Sequence, residues 1–88
     1  MTKMVLDVLK PHQPSIVEMS KLLGELDGVR TVNTVIREVD ADTETVVLSV
    51  EGKMLNYDAV LDVIEQCGAS VHSVDEVSVE KVSQGELA

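Results

Sequence analysis

The chain has 88 residues, 44% of them hydrophobic, which is enough for one small globular domain and too apolar for a disordered one. Seven basic residues against sixteen acidic ones give a net charge of -9, and Tyr57 is the only aromatic side chain. That balance repels phosphate backbones and offers no base-stacking platform, so nucleic-acid binding is not expected. Cys67 stands alone, which excludes an internal disulfide and any CxxC site. No apolar run resembles a signal peptide or a membrane span, and the expected location is the cytoplasm with no membrane contact.

Met4, Leu6 and Val8 alternate with Val5, Asp7 and Leu9, a period of two that predicts a strand over Met4 to Lys10. Pro11 and Pro14 end it. Ser15-Ile-Val-Glu18 is a capping box, and Ile16, Met19, Leu22, Leu23 and Leu26 follow at helical spacing. Gly24 and Gly28 mark the stop. Arg30 to Val39 and Thr45 to Glu51 read as two strands of a hairpin around the turn Asp40-Ala-Asp-Thr43. Asn56 caps a second helix with Tyr57, Val60, Leu61, Ile64 and Cys67 on one side, and Gly68 offers a left-handed stop. Ser70 to Val82 is a last strand whose alternation slips between Val74 and Val77, the mark of a bulge. Residues 1–82 are thus one domain and residues 83–88 a polar tail.

Two helices can bury their stripes together only on one sheet face. Right-handed crossovers then give an α+β fold, the ferredoxin-like βαββαβ plait, with a four-stranded antiparallel sheet in the order 4-1-3-2.

In this topology the first and last strands lie side by side. If Lys10 faces His72, then Asp7 faces Asp75 on the side away from the helices. Two facing carboxylates, with Glu76 nearby, suit a hard divalent cation, calcium or magnesium. The plainer alternative is a set of solvated charges, or a register shifted by one. His12 and His72 converge on the same region and suit a transition metal or a shared titration, though no third ligand stands at fixed spacing. Lys10, His12 and Ser15 surround a helix start that favours an anion, against the pull of Glu18 and the net charge. Lys10, His12 and His72 are therefore the candidate contacts for a small metabolite. Asp40 to Glu51 mimics the spacing of a calcium-binding loop, but Thr45 stands where glycine is required and the following residues alternate as a strand. Catalytic motifs are missing, and no catalytic residue is assigned. The open sheet face carries Val5, Leu9 and Val47, with Val35 and Val39 as register-dependent additions, which points to self-association. The edge strand from Arg30 to Val39 offers a second place for another copy to pair.

The segments Leu6-Asp-Val-Leu-Lys-Pro-His-Gln-Pro-Ser-Ile16, Glu51-Gly52 and Val71-His-Ser-Val-Asp-Glu-Val77 resemble a family of short, mostly archaeal proteins, the domain of unknown function two hundred and eleven. The resemblance runs from about Met4 to Val79. It implies a ferredoxin-like fold and homo-oligomers, with a ring as one form, and brings no activity or catalytic residue. The final strand departs slightly, reading Ser-Val-Glu where a small residue and glycine are expected. The layout is also similar to heavy-metal chaperones, but Lys10-Pro-His-Gln-Pro14 replaces their CxxC. Amino-acid-sensing regulatory domains and RNA-recognition motifs share the plait by fold alone, and the strand aromatics of the latter are missing here. The expectation is a non-enzymatic, self-assembling module with a divalent cation on the sheet face. Its alternative is a regulatory domain binding a metabolite between subunits, and an enzyme completed by oligomerisation is the third.

Overall fold

Strand β1 (Lys3–Pro11) sits between two neighbours, pairing antiparallel with β3 (Thr43–Gly52) on one side and β4 (Ser70–Ser78) on the other. Strand β2 (Val29–Val39) pairs antiparallel with β3 and completes a sheet in the order β2-β3-β1-β4. Helices α1 (Ile16–Gly24) and α2 (Tyr57–Gln66) cover one face of it. This is the expected plait, seen in a computed structural model that describes residues 1–81. The tail over residues 83–88 and the end of the expected last strand lie outside the described residues.

The alternation in β1 explains the core. Met4, Leu6 and Val8 point toward the helices and are fully buried, as are Val46, Leu48 and Val50 across the ladder. Met19 and Leu23 from α1, Val60 and Ile64 from α2, and Cys67 at the C-cap of α2 close over these rows. Each aliphatic side chain buried this way stabilises the fold by roughly 1.5–3 kcal/mol. Burial also pushes the Cys67 thiol pKa up, which fits a core residue rather than a reactive one.

The helix ends follow the capping chemistry. The Ser15 hydroxyl accepts from the Glu18 amide at 3.2 Å, and the Asn56 side-chain oxygen accepts from the Ala59 amide at 3.2 Å. A hydroxyl pair between Ser20 and Thr34, at 2.7 Å, fixes α1 over β2. Gly68 takes the left-handed conformation expected after α2, with φ +73. Gly28, at φ +86, turns the chain into β2, and a Cβ there would collide with the Lys53 carbonyl oxygen.

The edge strands are where the sequence reading and the structure part. Four residues are inserted as bulges without a partner opposite: Arg30 and Arg37 in β2, His72 and Asp75 in β4. The slip expected between Val74 and Val77 is the bulge at Asp75, and a second follows at His72. Together they shift the β1–β4 register. Asp7 faces Ser73 rather than Asp75, and Leu9 rather than Lys10 reaches the start of β4, opposite Ser70. Val39 lies opposite Glu44 on the helix side, while Val35, opposite Val47, stays on the open face.

Candidate functional site

Two polar centres are built around β1, one on each side of the sheet. The first grows from Lys10. Its place in the row Met4, Leu6, Val8 points it inward, and its side chain is fully buried. The ammonium donates to the Glu44 carboxylate at 2.9 Å, to the Pro11 carbonyl at 2.7 Å and more weakly to the His12 carbonyl at 3.5 Å. Those three acceptors use its three donors. Glu44 is brought there by β3, where it stands directly opposite Lys10.

The second Glu44 oxygen lies 3.0 Å from Nδ1 of His12, and Nε2 of His12 lies 3.0 Å from the Ala41 carbonyl. Both ring nitrogens thus meet acceptors, an arrangement only the imidazolium satisfies in full. The hydrogen bond to Glu44, aided by the Ala41 carbonyl, raises the His12 pKa above its ordinary value. His12 and then Lys10 lower the Glu44 pKa through the same contacts. The cluster ties the loop after β1 to the β2–β3 turn. His72 is not part of it: it occupies its own bulge in β4, with no hydrogen bond or ion pair to Lys10 or His12.

The second centre is on the open face. Asp7 lies in the row Val5, Asp7, Leu9, with Val47 opposite on β3 and Ser73 opposite on β4. Its Oδ1 is buried and has no hydrogen-bond partner among the described residues. The Ser73 hydroxyl donates instead to Asp75, at 2.8 Å. Glu76, opposite Val5, is held by Lys3 at 3.1 Å. Asp7, Asp75 and Glu76 therefore share a region of the open face, but the acids are staggered rather than opposed. Among the described residues, no three His, Cys, Asp or Glu side chains converge as a ready metal cage.

The partner missing from the sequence reading was Glu44. The alternation already puts Lys10 on the inward side, where an ammonium must find a carboxylate. Continuing the β1–β3 pairing past Leu9 would have reached it. Elsewhere, a groove of about 720 Å³ lies at the opposite end of β1, lined by Met1, Lys53, Met54 and Tyr57 among others. No helix among the described residues is long and apolar enough to cross a membrane.

Comparison with known sequences matches residues 2–84 to the family described as DUF211, uncharacterized ArCR. The uncharacterized protein MJ0319 of Methanocaldococcus jannaschii is 41% identical over 75 residues, covering 85% of this chain and 77% of that protein. The family match spans all three segments that carry the resemblance, in β1 with its loop, at the end of β3 and in β4. The chain belongs to the small archaeal DUF211 family.

Proposed function

We propose that the chain is a non-catalytic module that associates with copies of itself and holds a divalent cation at Asp7 on the open sheet face. The observation that carries this reading is the orphaned Oδ1 of Asp7. A buried carboxylate oxygen without a partner is costly, and proteins retain one where a cation or an incoming donor completes it. Oxygen donors and a local excess of acid suit calcium or magnesium. Asp75 and Glu76 would supply further oxygens by giving up their contacts with Ser73 and Lys3, and bound water would complete the shell. The valines and leucine around Asp7 support burial of this face against another copy, which would also strengthen the ion's hold by lowering the local dielectric.

A metabolite site at Lys10, His12 and His72 has less behind it. Lys10 has spent its donors inside the fold, and His72 stands apart.

The test is thermal melting with calcium, with magnesium and with chelator, in the wild-type chain and in Asp7→Asn. Either ion should raise the wild-type midpoint and leave the variant unmoved. An equal shift in both, or none in either, would remove Asp7 from the site.

A further inference from the structure

The β1–β3 ladder ends where Pro11 faces Thr43, and proline brings no N–H to that last pair. Past it, the turn between β2 and β3 closes on itself, the Asp40 amide donating to the Thr43 carbonyl at 2.8 Å. The tip of this hairpin is tied to the rest of the sheet by His12. Nε2 of its ring lies 3.0 Å from the Ala41 carbonyl, and the Asp40 carbonyl adds a weaker pull. Among the described residues, no other side chain from outside the turn hydrogen-bonds to residues 40–42. The His12 side chain is 40% exposed, so water can carry its protons away and return them.

The two ring nitrogens do not hold their protons equally. The imidazolium has two donors, one for Glu44 at 3.0 Å and one for Ala41, whereas the neutral ring has one donor and one lone pair. Glu44 is kept ionised with the help of Lys10, which holds its other oxygen at 2.9 Å. An ionised oxygen is a stronger acceptor than a peptide carbonyl. The single proton of the neutral ring therefore belongs on Nδ1, and Nε2 is left with a lone pair aimed at a carbonyl oxygen. Attraction across the Ala41 contact becomes repulsion. Among the described residues, Glu44 of β3 is the only charged side chain that acts on the ring. Lys10 of β1 meets His12 at its backbone carbonyl, and Glu18 of α1 acts on Cys67 instead. In the turn itself Asp40 acts through its backbone and Asp42 does not act, nor does a charged side chain of α2 or β4.

We propose that His12 is a proton-operated latch on the β2–β3 turn: the imidazolium holds Ala41, and the neutral ring lets it go while Nδ1 stays on Glu44. The Lys10–Glu44 pair is untouched by the change, so the core side of the sheet stays closed. Only the hairpin tip, with Asp40 and Asp42, is released. The hydrogen bond to Glu44 keeps the ring protonated to a higher pH than usual, which puts the release above the ordinary value of 6.5. Raising the pH through that point frees the turn, and lowering it fastens the turn again. The latch is independent of any ion at Asp7, which lies on the other face of the sheet.

Nuclear magnetic resonance of the nitrogen-labelled chain, from about pH 5 to about pH 9, tests it. The His12 ring signals should show Nε2 losing its proton while Nδ1 keeps its own. The amide signals of Ala41, Asp42 and Thr43 should move along the same curve. Protection of the Asp40 amide against hydrogen exchange should fall roughly two- to five-fold across it, and that of the β1 amides should hold. His12→Gln should abolish the curve at the turn, and His72→Gln should leave it in place. An Nδ1 that deprotonates first, or turn amides that do not follow the ring, overturns the latch from the wild-type spectra alone. So does a turn curve that survives His12→Gln or disappears with His72→Gln.

Discussion

Lys10 and Asp7 lie three positions apart on one strand and point to opposite faces, and the fold treats their charges in opposite ways. Lys10 is sealed inside with every donor answered, whereas Asp7 keeps a buried oxygen that nothing among the described residues answers. A satisfied buried ion pair is a structural device, and its removal is felt as instability. An unsatisfied buried oxygen weakens the isolated chain, and in the function proposed above a cation completes it. The charge on the helix side of β1 is answered within one copy, and the proposal has the one on the open side answered from outside it.

The sharpest way to break this contrast is to strip Lys10 of its counter-ion. Glu44→Ala leaves a buried ammonium with only carbonyl oxygens, and the melting midpoint should fall on the order of ten degrees or more. Adding Lys10→Met to that variant should recover much of the loss, because no buried charge then remains. Melting of the two variants side by side checks this, and equal midpoints would mean that Lys10 does not need Glu44.

On the other face the sign reverses. Asp7→Val replaces the orphaned carboxylate with a side chain that suits its valine and leucine neighbours. Without added metal it should stabilise the chain by roughly 1–3 kcal/mol in denaturant unfolding. A loss of stability would show that Asp7 already has a partner within one copy.

The smallest effect comes from His12, whose side chain is 40% exposed. Its pKa is raised in the fold, so its contribution is complete below its ordinary value of about 6.5 and fades as pH climbs through the raised value. Glu44 is lowered, so its contribution is complete above the ordinary carboxylate value of about 4.3 and fades as pH falls through the lowered one. The cluster should be firmest between roughly pH 4.5 and 6.5. His12→Gln should flatten only the alkaline side of a plot of melting midpoint against pH, with a smaller loss than Glu44→Ala.

What could be read from the chain follows from how local each signal is. The alternation of Met4 to Leu9, the Ser15 and Asn56 caps and the glycine at Gly68 are settled within a few residues, and the rule of right-handed crossovers then fixes the strand order. Register between distant strands has no such local signal. One bulge in β4 was visible as a slipped alternation near Asp75, but the one at His72 was not, since Val71, Ser73 and Val74 mix sizes and polarities without breaking a pattern. The two shifts were enough to turn an opposed pair of acids into a staggered one. Lys10 and Glu44 are 34 positions apart, so their pairing depends on a ladder rather than on a motif.

Native mass spectrometry with and without chelator tests the reading of the open face most directly, because it counts copies and ions in one spectrum. The expected result is a multiple of the 9.5 kDa chain carrying a divalent cation that chelator removes and Asp7→Asn never acquires. A single metal-free chain under every condition would contradict it.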